Sequence, residues 1–148
     1  MLARCTWAVL VGAAAAAPVP GADDPKAELK KFQGAWSLTA AEQNGVQGDR
    51  AQLAEVKWVW EGEKCTVKVG TTLKEQRTAL GPDKDPKASD LLVTAGPGKG
   101  ETSRGIYRFL DDELVLCFPT DAKAARPKEF TGKAGSGQLL LTLKRKKS

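Results

Sequence analysis

The sequence contains no histidine, and this absence excludes several kinds of active site. Ser-His-Asp and Cys-His catalysis both need an imidazole base, and histidine is the commonest metal ligand. Cysteine is scarce too: after the first 22 residues only Cys65 and Cys117 remain, and neither belongs to a CxxC motif. We therefore predict no catalytic residue, no metal ligand and no cofactor, and a hydrolase is the least favoured function.

Long apolar runs are also missing, because the one apolar stretch, residues 5–17, is shorter than the roughly 20 residues of a membrane-spanning helix. Arg4 precedes this stretch, and small residues and prolines follow it over 18–22, which is the order of a secretory signal peptide. The sequence therefore predicts a signal peptide over residues 1–22 and one exported domain, periplasmic or secreted, over residues 23–148. An uncleaved membrane anchor is the alternative; after cleavage no stable membrane insertion is expected.

Three kinds of binding motif are incomplete. The glycine-rich stretches 96–100 and 132–137 lack the GxxxxGK[ST] order and open no helix, so they predict turns and not a phosphate site. The acidic run 111–113 lacks the spacing of an EF-hand and is typical of a solvated hairpin turn rather than a calcium site. The basic tail 144–147 has no interleaved aromatic residue, so no nucleic-acid partner is predicted.

The two remaining cysteines are predicted to be free thiols. Cys65 alternates with Val67 on a segment whose apolar residues point inward, whereas Cys117 falls between the inward-pointing Leu116 and Phe118 and so points outward. Side chains on opposite faces make the short Cβ–Cβ approach of a disulfide difficult. We expect Cys117 to be a thiol at the surface or at a sheet edge; a disulfide, which export would permit, is the alternative.

One short helix is predicted at the start of the domain. Asp24 can accept hydrogen bonds from the first free amides, and Pro25 is favoured at the first helical position. Leu29 and Phe32 fall three residues apart on one side, and Gly34 can adopt the left-handed conformation that ends a helix. We expect this helix to lay Leu29 and Phe32 over an open end of a barrel.

From Trp36 onward the apolar residues recur with a period of two, which is typical of half-buried strands. On the first strand Trp36, Leu38 and Ala40 share the inward face. Strands separated by turn residues are predicted over 36–40, 56–60, 65–69, 73–80, 90–94, 102–109, 114–118, 126–130 and 139–145. About eight short strands and one helix indicate an all-β fold, an antiparallel up-and-down barrel whose closure removes sheet edges. The polar segment 73–80 suggests an outer edge, and Pro127 breaks its own strand.

Gly34-Ala35-Trp36 after a short helix, with Arg145 late in the last strand, resembles the signature of lipocalin or calycin barrels. A longer resemblance, to a family of uncharacterised, mostly exported lipocalin-like domains expanded in planctomycete bacteria, is carried by blocks in the same order: 32–36, 105–107 with 114–117, 126–130, and 135–138 with 143–145. The resemblance implies export and a barrel in which Gly34, Trp36 and Arg145 form the closed end, with the arginine covering the tryptophan. The family has no established activity, so it implies no mechanism.

Aromatic side chains are the remaining indication of function. Trp58 and Trp60 share one face, Tyr107 and Phe109 share another, and both faces are predicted to point inward. An eight-stranded barrel either is filled by its own side chains or holds one small ligand. Two hypotheses therefore stay open: a non-enzymatic module that binds a small apolar ligand or lipid with these four side chains, and a compact structural or protein-interaction domain with a filled barrel and no ligand.

Overall fold

The computed structural model describes residues 24–146, which form an antiparallel β-barrel with a short helix across one end. The predicted signal peptide, residues 1–22, lies outside the described residues. The elements in chain order are α1 (Pro25–Phe32), β1 (Gly34–Gln43), β2 (Val46–Gln47), α2 (Arg50–Leu53), β3 (Val56–Glu61), β4 (Lys64–Val69), β5 (Thr72–Gly81), β6 (Ala88–Ala95), β7 (Thr102–Leu110), β8 (Glu113–Pro119) and β9 (Gln138–Arg145). The predicted all-β class, up-and-down order and N-terminal helix are confirmed.

Helix α1 begins where the sequence predicts. The Asp24 Oδ1 atom accepts a 3.0 Å hydrogen bond from the Lys26 amide, and Pro25 occupies the first turn. After Phe32 the chain turns into β1 at Gly34, whose φ of 108° lies in the region that favours glycine. Across residues 24–146, no helix has the length and apolar character needed to cross a membrane.

Closure of the barrel comes from pairing of the first long strand with the last. Strands β1 and β3 to β9 follow one another as antiparallel neighbours, and β1 also pairs with β9. In this closing pair Trp36 lies opposite Arg145 at one end, and Gln43 lies opposite Leu139 at the other. The two-residue strand β2 adds only to the end of β1. The expectation that 73–80 forms an outer edge is wrong, because β5 pairs with β4 on one side and β6 on the other. A closed barrel gives even a polar strand two neighbours.

A bulge in β1 changes the predicted direction of one side chain. The register with β9 shifts between Leu38 and Ala40, so an extra residue enters the strand there. Beyond the shift, Ala41 packs against the core. The prediction that Ala40 shares the inward face of Trp36 and Leu38 is therefore wrong, because a strict period of two cannot anticipate an inserted residue.

The predicted strand over 126–130 does not form. Strand β8 is followed by a long loop, residues 120–137, before β9 begins. Pro127 has no amide to donate to a sheet ladder, which is a physical reason for the loop. Arg126 donates to the carbonyl of Gly105 on β7 at 2.7 Å, so the loop packs against the barrel.

The loop buries Cys117, which corrects the prediction of a surface thiol. Its Sγ atom lies 3.5 Å from the carbonyl oxygen of Glu129 and 3.6 Å from that of Thr131. The Gln138 Nε2 atom donates to the same two oxygens, at 2.9 and 3.0 Å. Cys65 is buried inside the barrel, and both cysteines are free thiols, as predicted.

Candidate functional site

An aromatic cluster fills the barrel at the end covered by α1. Phe32 is fully buried at its centre, and its ring lies edge-on to Trp60, Tyr107 and Phe109, at centroid distances of 5.2, 5.1 and 5.0 Å. Such pairs contribute about 0.5–1.5 kcal/mol each beyond their buried area. The helix therefore does more than cover the barrel end, because its last residue occupies the space that a ligand would need there.

Trp36 and Arg145 close this end from β1 and β9. The Trp36 Nε1 atom donates to the Phe32 carbonyl at 2.7 Å and so satisfies one of the free carbonyls at the end of α1. The guanidinium of Arg145 lies 4.3 Å from the centroid of the Trp36 ring, and it donates to two further backbone carbonyls at the helix end. Gly34 lies beside this guanidinium, and its φ of 108° is the reason that glycine is favoured there. These contacts join the helix to the seam of the barrel.

A buried carboxylate, Glu28, lies at the same end and was not predicted from the sequence. It has no solvent exposure, and its Oε1 atom pairs with the ammonium groups of Lys87 and, at 3.4 Å, Lys31. Burial first, and the negative charge of Glu28 second, raise the pKa of the Tyr107 hydroxyl. A signal was present in the sequence, because Glu28 stands four residues before Phe32 and so lies on the same helix face. The pair with Lys87 fastens α1 to the segment before β6.

The opposite end of the barrel is open to solvent. A cavity of about 1130 Å³ opens there, slightly larger than the roughly 300–1,000 Å³ of typical ligand pockets. Its apolar lining comes from strands around the barrel: Trp58, Val67, Leu91, Phe118, Leu139 and Leu141. Residues of the β6–β7 and β8–β9 connections complete the mouth. The barrel is thus filled at one end and open at the other.

Of the four aromatic residues predicted to bind a ligand, Trp58 alone lines this cavity. Trp60, Tyr107 and Phe109 point inward, but they pack around Phe32 in the filled half. The indoles of Trp58 and Trp60 stack, with centroids 5.5 Å apart and planes at 27°, so Trp58 forms the boundary between the two halves. Alternation along a strand indicates which face a residue takes and carries no information on its depth along the barrel axis.

Two polar groups in the cavity wall were not predicted. Gln76, on β5, is 5% exposed, and its Oε1 atom has no hydrogen-bond partner among residues 24–146. The Nε1 atom of Trp58, in the same wall, is likewise unpaired within the described part of the chain. Burial of a polar atom without a partner costs about 1–3 kcal/mol. The residues of the cavity wall therefore carry one donor and one acceptor that have no partner within residues 24–146.

Charged side chains surround the mouth of the cavity. Lys74, Arg104 and Lys123 contribute positive charges, and Glu101 and Asp121 contribute negative charges. Lys74 is half-buried, whereas the other four are exposed. Because the two signs nearly balance, the mouth does not by itself select a strongly charged ligand.

The loop over 120–137 forms one side of the mouth and is held in place. The Gly45 amide, in the turn between β1 and β2, donates to the Gly132 carbonyl at 2.8 Å. A Cβ atom at Gly132 would lie 2.2 Å from the carbonyl oxygen of Glu42, so only glycine allows this approach of the two backbones. The middle of the loop is therefore fixed to the end of β1 and to the β1–β2 turn.

The described residues offer few groups for catalysis. Burial raises the pKa of the Cys65 thiol and that of the Cys117 thiol, so neither is a reactive thiolate near neutral pH. Within residues 24–146 no three acidic or cysteine side chains come together in a way that could hold a metal ion. The deep part of the cavity is lined by apolar side chains, and its mouth is lined by polar and charged ones.

No family model matches the chain, and no curated protein or solved structure matches it either.

Proposed function

We propose that this chain is a non-enzymatic, exported binding protein that holds a small apolar molecule, or the acyl chain of a lipid, in the open half of its barrel. The observation that carries the proposal is the cavity of about 1130 Å³ at the end opposite α1. We also propose that residues 1–22 are a signal peptide and that the domain belongs to the exported lipocalin-like family that it resembles.

The lining of the cavity supports an apolar ligand. Leu91, Phe118 and Leu141 belong to the hydrophobic core and also face the cavity. Burial of roughly 200 Å² of apolar ligand surface at about 25 cal/mol per Å² would supply ~5 kcal/mol toward binding. This gain yields measurable affinity only if few side chains and loops of the protein lose conformational freedom when the ligand binds.

The walls of the cavity support a preformed site. Phe32 fills the far end, Trp58 forms the floor and stacks on Trp60 behind it, and the loop over 120–137 is anchored at Gly132. Each of these contacts is made between residues of the protein itself. A preformed site loses less conformational entropy on binding, which favours affinity.

The proposal is tested by looking for a bound molecule and by titrating a probe. Native mass spectrometry of the purified protein should detect a co-purified small molecule of well under 1 kDa, a size set by the roughly 300–1,000 Å³ of a typical pocket. N-phenyl-1-naphthylamine, a neutral apolar dye, should bind with a stoichiometry of one and gain fluorescence. A wild-type protein that carries no extra mass and leaves the dye unaffected would contradict the proposal.

Two variants on β4 give a matched control, because Cys65 and Val67 lie on the same inward face, two residues apart. Val67 lines the cavity, so Val67→Phe should place a ring in it and abolish dye binding. Cys65 is buried in the core outside the cavity lining, so Cys65→Ala should lower stability and leave dye affinity unchanged. Equal loss of dye binding in both variants would mean that the dye reports on the fold and not on the cavity.

The alternative, a compact structural or protein-interaction domain, is favoured by one observation. Val46, Val69 and Leu73 are large apolar residues that are exposed at the ends of the β1–β2 and β4–β5 hairpins. If the wild-type protein binds no small molecule, Val69→Asp and Leu73→Asp should reveal this role by abolishing self-association in analytical ultracentrifugation. Retained self-association in both variants would exclude these hairpin residues as the contact.

A further inference from the structure

Trp60 and Thr78 form a hydrogen-bonded pair in the filled half of the barrel. Trp60 pairs with Cys65 on β4, and Cys65 pairs in turn with Gln76 on β5. Thr78 lies two residues beyond Gln76 on β5. The Trp60 Nε1 atom donates to the Thr78 hydroxyl at 3.0 Å. An offset of this kind is expected because the strands of a barrel are tilted and staggered.

Trp58 and Gln76 occupy the equivalent positions one inward residue nearer the mouth. Trp58 pairs with Val67 on β4, and Val67 pairs in turn with Lys74 on β5. Gln76 lies two residues beyond Lys74, as Thr78 lies two residues beyond Gln76. Yet the Nε1 atom of Trp58 and the Oε1 atom of Gln76 are both buried and unpaired among the described residues, and both side chains line the cavity. The hydrogen bond that is made in the filled half is therefore left open where the cavity begins.

We propose that this open pair binds a hydroxyl group of the ligand, so that the ligand is an apolar alcohol. A hydroxyl accepts from Trp58 Nε1 and donates to Gln76 Oε1 through one oxygen atom, as the Thr78 hydroxyl accepts from Trp60. The inference rests on the proposed function and adds the ligand's polar group, its depth and its orientation. The hydroxyl lies at the floor, and the apolar body extends toward the mouth along Leu91 and Leu141.

A carboxylate fits the floor less well than a hydroxyl does. It has no proton to donate to the Gln76 oxygen, and its burial costs much more than that of a neutral group unless a cation pairs with it. Lys74, the next inward residue toward the mouth, is the cation that could compensate this cost. A carboxylate ligand therefore belongs in the test as the competing chemistry.

The test compares three ligands of similar length by displacement of N-phenyl-1-naphthylamine. Decan-1-ol and its isomer 1-methoxynonane have the same atoms, but only the alcohol can both donate and accept; decanoate is the anion. We expect decan-1-ol to bind about tenfold more tightly than either of the others, which is the difference that one unmade hydrogen bond to a buried group produces.

Three variants locate the effect. Gln76→Met keeps the side-chain length and removes the acceptor, so the ratio between alcohol and ether should fall to about one. Trp58→Phe keeps an aromatic ring and removes the donor, so decan-1-ol should bind about tenfold more weakly. Thr78→Val is the matched control: it unpairs Trp60 in the filled half, and the ratio should stay as in the wild type.

The outcomes separate this inference from the proposed function. If the dye binds and all three ligands displace it equally, the hydroxyl site is wrong and the binding function stands. If decanoate binds most tightly, the site recognises an anion and the inference is overturned. If the dye does not bind at all, both proposals fail. A tenfold preference for decan-1-ol that Gln76→Met or Trp58→Phe removes and Thr78→Val retains supports the inference.

Discussion

The guanidinium of Arg145 lies 4.3 Å from the centroid of the Trp36 ring, across the seam where β1 pairs with β9. The same guanidinium donates to the backbone carbonyls of Lys31 and Gln33, and Trp36 itself donates to Phe32. The two side chains therefore satisfy the carbonyls at the end of α1 and hold the helix against the barrel. This junction is a structural feature at the filled end, remote from the cavity lining.

Arg145→Ala should lower the free energy of unfolding by about 1–3 kcal/mol, because it removes a cation–π contact and two charge-assisted hydrogen bonds from a partly exposed site. Arg145→Lys keeps the charge but loses the fork that reaches two carbonyls, so its cost should be intermediate. Denaturant unfolding measures both. Lys144→Ala, an exposed neighbour on β9, is the control and should change stability by less than about 0.5 kcal/mol. Equal stabilities for Arg145→Ala and Lys144→Ala would contradict the role given to the arginine.

Trp60→Ala and Trp58→Ala should have different consequences although the two residues are neighbours on one face of β3. Trp60 is buried against Phe32, so its truncation should cost about 3–5 kcal/mol of stability with little effect on the dye affinity of the folded protein. Trp58 faces the cavity on one side, so its loss should cost less stability and should weaken dye binding. Unfolding curves and dye titrations on the same samples make the comparison. A large loss of stability with unchanged affinity in Trp58→Ala would mean that the cavity is not the binding site.

Lys87→Met should destabilise the protein more than Glu28→Gln does. Removal of the lysine leaves a fully buried carboxylate with the more distant Lys31 as its partner, and loss of one member of a buried pair costs up to about 3–5 kcal/mol. Removal of the carboxylate leaves Lys87, whose side chain is 38% exposed, free to turn toward solvent. A double-mutant cycle with both changes should show coupling of about 0.5–3 kcal/mol. Additive effects would indicate that the two groups do not interact in solution.

Stability should fall as the pH rises above about 9. Burial raises the pKa values of Cys65 and Tyr107 in the folded protein above their ordinary values of 9.0 and 10.0. The unfolded chain therefore loses these protons first as the pH rises, and each group then favours unfolding by about 1.4 kcal/mol per pH unit. This destabilisation is absent below the pKa that each group has in the unfolded chain, and it grows as the pH rises above that value. Unfolding free energies measured from pH 7 to 11 should show the decline.

Cys65→Ala provides the control for this pH dependence. The variant should be less stable at neutral pH, but its stability should decline less steeply between pH 10 and 11, by about 1.4 kcal/mol per pH unit, because one titrating group is gone. A slope equal to that of the wild type would show that Cys65 does not remain protonated in the folded state.

The candidate site was predictable in part. Trp58 was identified from its alternation with Trp60, and its inward direction is correct. Gln76 was missed because β5 is polar along most of its length, and a buried glutamine has the same sequence signal as an exposed one. Tyr107 and Phe109 were assigned to the site because they point inward, and they pack in the filled half instead.

Local sequence determined the elements of this protein and the face that most residues take. Asp24 and Pro25 begin α1, turn residues separate the strands, and the period of two sets Trp58, Leu116 and Leu143 inward because neighbouring side chains on a strand point to opposite faces. Only the tertiary structure decided how deep each inward residue lies along the barrel axis and which outward-facing residues are covered by a loop. Phe32 fills one end, a loop buries Cys117, and a bulge turns Ala41 inward, since each depends on which distant strand or loop arrives at that level. The tilt and stagger of the strands determine which distant residues come into contact, and no local sequence pattern contains that information.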